Sequence, residues 1–101
     1  NVVGGIKVSE TASDLVVMLS IVSSLRDKVI PNKWIAFGEV GLTGEVRPVY
    51  NAQERLSEAQ KQGFELAIIP KGNEPKKPIK GIKVIPVGYL YQAIQYLLEN
   101  S

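Results

Sequence analysis

Apolar residues recur every three or four positions between residues 11 and 28, and this spacing predicts a helix. The apolar stripe is so wide that we expect most of the helix to be buried; its members are Leu15, Val16, Val17, Met18, Leu19, Ile21, Val22 and Leu25. We expect Thr11 to cap the start of this helix, with Asp14 in the first turn near the positive end of the helix dipole. Pro31 disfavours helix at the residue before it, so the helix should end near Lys28.

Short apolar runs separated by glycine and proline predict strands. The predicted strands are 1–8, interrupted by Gly4 and Gly5, then 34–37, 66–69 and 83–87. Thr43 and Gly44 supply the turn of a hairpin within residues 38–49. A second helix over residues 51–62 and a last helix that begins near Leu90 complete the pattern. The order β-α-β-β-α-β-β-α, without repeats or a linker, predicts one layered α/β (α+β) domain over residues 1–101.

The composition excludes several classes of chemistry. The chain has 101 residues, of which 45% are hydrophobic and 22% are charged, as is typical of a globular protein. It contains no cysteine and no histidine, so disulfides, zinc–thiolate sites and catalysis by Ser-His or Cys-His pairs are excluded within it. A Ser–Lys or Thr–Lys pair is the nucleophilic device that remains. No apolar run approaches the roughly 20 residues that a membrane span needs, and we expect a soluble, cytoplasmic protein.

The charge of the chain is unevenly distributed. The formal net charge is +2. Residues 71–83 contain five lysines and one glutamate, whereas the rest of the chain has seven basic and nine acidic residues. A basic segment on a slightly acidic body points to a polyanionic partner.

Several stretches of the sequence match a known family. The longest is FGEVGLTGEVRPV at residues 37–49, and shorter ones are VVGGIKV at 2–8, SSLRD at 23–27 and AIIPK at 67–71. Together they resemble the C-terminal part of the RadA (Sms) family of bacterial DNA-repair proteins over essentially the whole chain. More distantly, the segment from Thr43 through the second helix resembles the proteolytic domain of Lon proteases.

The family resemblance implies that this chain is the C-terminal fragment of a longer protein. Members of the family carry a four-cysteine zinc module and a RecA-like ATPase core with a Walker A loop and a KNRFG motif. They end in a Lon-protease-like domain, of the same fold group as domain 2 of ribosomal protein S5. This chain contains no Walker A sequence and no KNRFG motif, so no cofactor is expected in it, and ATP, Mg²⁺ and zinc belong to the parent protein.

The resemblance also implies a function for the parent protein. That function is a DNA-dependent ATPase and hexameric helicase, which drives branch migration of recombination intermediates during DNA repair. The implied partners are duplex or branched DNA, further copies of the protein in a ring, and a RecA-type recombinase.

The resemblance to Lon can be tested at the two catalytic positions of that family, a serine and a lysine at the starts of successive helices. An ungapped comparison places Ala12 at the serine position and Gln53 at the lysine position. Alanine has no nucleophile and a glutamine amide is not a base, so we expect no catalytic residue. The alternative is a Ser–Lys peptidase that uses Ser13, although a slip of one residue rotates a helical position by about 100° away from its partner.

Contacts to the backbone of duplex DNA suit the remaining chemistry, because lysine and arginine neutralise phosphates whatever the base sequence. We expect these contacts from the predicted strands and from the basic segment, at Lys7, Arg47, Lys76, Lys77 and Lys80. For each residue the competing interpretation is a solvated or locally paired charge. Glu45, for example, shares a strand face with Arg47 and can pair with it.

A third class of function is a purely structural oligomerisation module without DNA contact. Trp34 and Tyr50 are candidate subunit contacts, because aromatic residues are enriched in interfaces. A titration with duplex DNA distinguishes this class from the DNA-binding one.

Overall fold

A parallel sheet of three strands organises the part of the chain that the structure describes. The computed structural model describes residues 2–3, 6–7 and 10–101. Its strands are β1 (Val2–Val3), β2 (Ile6–Lys7), β3 (Trp34–Ala36), β4 (Glu39–Val40), β5 (Val46–Arg47), β6 (Leu66–Pro70) and β7 (Lys83–Val87). Its helices are α1 (Asp14–Leu25), α2 (Ala52–Lys61) and α3 (Leu90–Asn100), with single 3₁₀ turns at Thr11–Ser13 and Lys71–Asn73. The parallel sheet has the order β3-β6-β7, and β1–β2 and β4–β5 are antiparallel pairs.

Strand β6 is the centre of the sheet and is buried along its whole length. It pairs in parallel with β3 through Ile35 and Ala67, and with β7 through Ile68 and Ile85. Helix α2 provides the crossover from β3 to β6. Because strand side chains alternate between the two faces, burial on both sides requires the continuous apolar run that this segment of the sequence shows.

Each face of the sheet carries its own apolar cluster. Helices α1 and α3 cover one face, where the buried residues are Leu15, Leu19, Val46, Leu66, Ile68, Val87, Ala93 and Leu97. Helix α2 covers the other face, where the buried residues are Phe37, Leu56, Ala59, Ala67, Ile69 and Ile82. The result is a layered arrangement of helix, sheet and helix, and the predicted mixed α/β architecture is confirmed.

The β4–β5 hairpin leaves the sheet at Gly38, directly after β3. The Gly38 amide donates to the Ala12 carbonyl (2.9 Å), and the Leu15 amide donates to the Gly38 carbonyl (3.0 Å). These two bonds fix the start of α1 against the root of the hairpin. At its tip, the Gly44 amide donates to the Gly41 carbonyl (3.0 Å), and Gly44 has a φ of 86°, so the predicted turn is confirmed.

Two predictions about helix boundaries are wrong. Thr11 does not cap α1, because residues 11–13 form a 3₁₀ turn and the α-helix begins only at Asp14. The helix also ends at Leu25 rather than near Lys28. Asp14 lies in the first turn as predicted, and its Oδ2 accepts from the Val40 amide (3.1 Å).

The helices are short. Within residues 2–3, 6–7 and 10–101, none of them has both the length and the apolar character that a membrane-spanning helix requires.

Candidate nucleic-acid interface

Arg47 lies on β5 and is held by two carboxylates. Its Nη2 is 2.6 Å from Oε2 of Glu45, and its Nη1 is 3.4 Å from Oε1 of Glu39. Glu45 is two residues away on the same strand face, and Glu39 is the cross-strand partner of Arg47 in the hairpin register. About half of the Arg47 side chain is exposed, so the guanidinium is accessible but already paired.

The hairpin turn strengthens this pairing. The Thr43 hydroxyl (2.6 Å) and the Thr43 amide (3.1 Å) both donate to Oε1 of Glu45. The Thr43 hydroxyl, followed by Arg47, lowers the pKa of Glu45 to about 2. The hydrogen bond from Arg47 to Glu45 raises the pKa of the guanidinium in turn. Two carboxylates therefore face one guanidinium, and this part of the surface is net negative.

The basic loop, which we define as residues 74–82, has the opposite electrostatic character. It contains Lys76, Lys77 and Lys80, which are all exposed. None of the three forms an ion pair with any residue that the structure describes. Beside the loop lies a groove of about 400 Å³, which Lys76, Lys83 and Glu74 line together with apolar side chains such as Ile82. The three lysines are therefore accessible and available to an anionic partner.

The basic loop is anchored at both of its ends. At its start, the Asn73 side chain accepts from the Val49 amide (2.8 Å) and donates to the Val49 carbonyl (3.1 Å). At its end, Ile79 and Ile82 pack into the apolar cluster beneath α2. The loop is therefore held against the hairpin and the sheet, and lysines on it lose less conformational freedom on binding than those of an unanchored loop.

The structure places the five predicted DNA-contact residues unequally. Lys76, Lys77 and Lys80 share the anchored basic loop, and the Asn73 bonds bring the start of that loop to the hairpin strand that carries Arg47. The side chain of Lys7 lies outside the described part of the chain. Asn73 was missed by the sequence analysis, because its two bonds join positions 24 residues apart and no local pattern indicates them.

The two Lon catalytic positions lie in different surroundings. Ala12 is 6% exposed and lines a cleft of about 410 Å³, together with Thr11, Tyr50 and Arg55. Gln53 is exposed and lines a separate groove on α2 with Lys61. The Arg55 guanidinium points across the cleft to Glu10 (2.8 Å) and lies 5.9 Å from the centre of the Phe37 ring.

Ser13, the alternative nucleophile, lies in a third groove with Met18 and Ile21. Its groove and the Gln53–Lys61 groove share no lining residue. Among the residues that the structure describes, no group of three or more carboxylates is arranged to hold a metal ion.

Several relatives of this chain share the name DNA repair protein RadA. DNA repair protein RadA of Pseudomonas aeruginosa is 57% identical over 98% of this chain and 22% of its own length. DNA repair protein RadA of Escherichia coli is 53% identical over 93% of this chain and 20% of its own length. The corresponding protein of Mycobacterium tuberculosis is 34% identical over 96% of this chain and 20% of its own length. The predicted resemblance to RadA proteins is thus confirmed, and the chain spans about a fifth of the length of these relatives.

A family model gives a second match. The model is described as subunit ChlI of Mg-chelatase, and it matches residues 3–73. This range begins in β1 and ends with the 3₁₀ turn that precedes the basic loop, so it contains α1, the hairpin and the central strand. Since the match covers more than half of the residues, the chain belongs to the protein family described as subunit ChlI of Mg-chelatase.

Proposed function

We propose that this chain is a DNA-binding domain of a DNA-repair protein, built on a Lon-protease-like fold that has lost its proteolytic residues. Relatives named DNA repair protein RadA, at 34–57% identity over nearly the whole chain, support the role in DNA repair. Ala12 and Gln53, which have neither a nucleophile nor a base, support the loss of proteolysis.

The observation that carries the DNA-binding proposal is the set of three exposed lysines on the anchored basic loop, which form no ion pair with any described residue. Each lysine that neutralises a phosphate releases condensed counterions, so the affinity is insensitive to base sequence and sensitive to salt. In this proposal Lys76, Lys77 and Lys80 supply most of the attraction to duplex DNA.

Arg47 has a secondary role in this proposal, and Lys7 stays a predicted contact. Arg47 must exchange a carboxylate for a phosphate, since Glu45 already lies 2.6 Å from its guanidinium. Its contribution is therefore smaller than that of a loop lysine, and Glu45→Gln, which removes the nearer of its two carboxylates, should tighten DNA binding.

In this proposal the chain is a C-terminal part of a longer parent protein. We propose that the parent is a cytoplasmic, hexameric, DNA-dependent ATPase that drives branch migration and acts with a RecA-type recombinase. ATP with Mg²⁺ and zinc act outside this chain. In the parent protein, this domain binds the DNA backbone and scaffolds the ring. Repeated weak contacts around the ring add up to a higher overall affinity for DNA, because each contact raises the effective concentration of the next.

A salt titration tests the DNA-binding proposal. The variant carrying Lys76→Ala, Lys77→Ala and Lys80→Ala should bind a fluorescent duplex more weakly than the unmodified chain. The slope of log affinity against log salt should fall by about 0.9 per lost phosphate contact. The matched control carries Lys28→Ala, Lys33→Ala and Lys61→Ala, which remove the same charge elsewhere and should change binding much less.

Three results contradict the proposal. If the unmodified chain does not bind duplex DNA, the domain is a structural module, whereas binding by the loop variant with the affinity and salt slope of the control rejects the three loop lysines as the contact residues. If the unmodified chain cleaves casein and Ser13→Ala abolishes the cleavage, it is a peptidase.

A further inference from the structure

The groove of about 400 Å³ beside the basic loop lies between that loop and the start of β7. The loop lines it with side chains that include Pro75, Pro78 and Ile79, and the strand lines it with Lys83 and Val84. Its volume is within the range of sites that hold small ligands. The groove is therefore large enough to receive one or two apolar side chains of a partner.

Apolar side chains form most of the lining of this groove. Ile82 is 7% exposed, and Ile79 and Val84 pack with it into the cluster beneath α2. Pro75 and Pro78 have fixed φ angles, which restrict the backbone of the loop. The groove is therefore already formed in the free chain, and a partner loses little affinity to the cost of ordering it.

The start of β7 also presents backbone groups to a partner. This strand is an edge of the parallel sheet in the part of the chain that the structure describes. The Lys83 amide donates towards β6, to the Glu65 carbonyl (2.8 Å), so alternation turns the amide and the carbonyl of Val84 outward. Pro86, the next residue that faces outward, has no amide proton. The edge therefore suits a short extended segment that pairs at Val84, and it opposes the addition of a full strand.

The charge around the groove selects an acidic partner. Residues 71–83 contain five lysines and one glutamate, and Lys76 and Lys83 line the groove itself. Neither lysine forms an ion pair with any described residue, and Glu74 is the one carboxylate among the described residues of the lining. The phosphates of a duplex have the required charge, but a duplex has no apolar side chains to fill the groove. An extended polypeptide has both, because its side chains alternate between two sides.

We propose that this groove binds an extended acidic segment of a partner protein, in which apolar residues alternate with aspartate or glutamate. The apolar side chains enter beside Ile79, the backbone pairs with Val84, and the carboxylates pair with Lys76 and Lys83. This inference does not rest on the DNA-binding proposal, because the apolar lining and the edge of β7 carry it. Lys76 belongs to both sites, so a bound segment should displace duplex DNA, and this consequence alone rests on the DNA-binding proposal.

Fluorescence anisotropy with two synthetic peptides of equal charge tests the proposal. Aspartate alternates with leucine in the first peptide and with serine in the second. The unmodified chain should bind the leucine peptide with a Kd below about 1 mM, the weak end of specific binding. It should bind the serine peptide at least about tenfold more weakly, because serine has no apolar surface to bury in the groove. Equal affinities would show that charge alone attracts the peptides and would overturn the proposal, as would a lack of binding to either peptide.

Charge reversal locates the peptide on the molecule. Lys83→Glu, at an exposed position, should weaken binding of the leucine peptide about fivefold or more, because it replaces an attraction by a repulsion. Arg26→Glu is the matched control, since it changes the net charge equally at the end of α1, which packs on the opposite face of the sheet from α2. Equal binding of the leucine peptide by these two variants would overturn the proposal.

NMR spectroscopy of the unmodified chain provides a test that needs no variant. The leucine peptide should shift the resonance of the Val84 amide, and an unchanged resonance at saturation would overturn the proposal. A chain that binds the leucine peptide in this way but binds no duplex would support this inference and contradict the DNA-binding proposal.

Discussion

Gly38 is the residue on which the geometry around Ala12 depends. It has a φ of 153°, a value at which side chains are strained, and its amide and carbonyl both bond to the segment that begins α1. A Cβ at this position would lie 2.9 Å from Cγ1 of the buried Val46. Glycine is therefore required here both by backbone conformation and by space.

Comparing Gly38→Ala with Gly44→Ala should separate the conformational requirement from the steric one. Gly44→Ala should cost about 1–2 kcal/mol, because Gly44 has a φ of 86° but a Cβ there meets no atom within 4 Å. Gly38→Ala should cost a further ~1–3 kcal/mol for the overlap with Val46. Urea unfolding of both variants gives the free energies, and equal losses would contradict the steric part of this argument.

Glu45 makes the stability of the hairpin depend on pH. Its pKa is about 2 in the folded chain, against the usual 4.5, chiefly because of the Thr43 hydroxyl and then of Arg47. A carboxyl with a lowered pKa stabilises the fold fully above its unfolded pKa, and this stabilisation is lost as the pH falls through the folded value. The Glu45 contribution should therefore be complete above about pH 4.5 and disappear towards about pH 2.

Unfolding of Glu45→Gln at several pH values checks this prediction. The unmodified chain should exceed the variant in free energy of unfolding at pH 7, and the gap should narrow between about pH 4.5 and pH 2. Thr43→Val should raise the pKa of Glu45 in an NMR titration, since it removes the hydroxyl donor. A Glu45 pKa of about 4.5 in the unmodified chain would contradict the prediction.

The sequence predicted only part of the cluster that Glu39, Glu45 and Arg47 form. A pairing between residues that are close along the chain is easier to predict than one between distant residues. Strand alternation places Glu45 beside Arg47 whatever the rest of the fold, so their pairing was foreseeable. Glu39 joins them only through the register of the hairpin, which depends on where the turn closes. The Asn73 bonds to Val49 depend on the whole fold, and no local pattern indicates them.

At the scale of elements, the basic loop illustrates how the structure changes an expectation. Its prolines and glycines are typical of a solvated, flexible connection. The structure anchors it instead, through Asn73 at its start and through Ile79 and Ile82 at its end. A Cβ on Gly72 would lie 2.6 Å from Cγ of Pro48, so the chain passes very close to the hairpin just before the loop.

Asn73→Ala should loosen this anchor. The change removes one acceptor and one donor, each in contact with the part-buried backbone of Val49, so a loss of about 1–3 kcal/mol is expected. Hydrogen exchange at the Val49 amide should accelerate, whereas Asn32→Ala, at an exposed asparagine, should leave it unchanged. An unchanged exchange rate in Asn73→Ala would show that the bond does not protect this amide.

The start of α1 shows why a cap was mispredicted. Thr11 has the residue type that caps helices, and local pattern alone favours it. In the folded chain, the Gly38 amide bonds to the Ala12 carbonyl, and this contact accompanies the 3₁₀ turn that delays the helix to Asp14. The residue type of Thr11 therefore did not decide where the helix begins.

At the scale of the molecule, the alternation of helices and strands was sufficient to predict a layered α/β fold, because each apolar run must be covered on both faces. The free edge of the sheet at β7 was not foreseen. The Lys83 amide donates towards β6, so alternation turns the Pro86 nitrogen outward, where it has no proton to offer. Pro86 thus removes a donor from the edge and opposes pairing with another strand.

The arrangement of grooves on the whole molecule leads to a last prediction, about proteolysis. Ala12→Ser together with Gln53→Lys restores both Lon residue types, yet the two positions line different grooves. A lysine activates a serine only where its amine meets the hydroxyl in a desolvated site, and Gln53 is exposed. The double variant should therefore cleave neither casein nor a fluorescent peptide under conditions where an active Ser–Lys peptidase cleaves both. Cleavage by the double variant but not by the single variant Ala12→Ser would contradict this prediction. It would show that the two positions meet, and that the two side chains are sufficient to restore proteolysis.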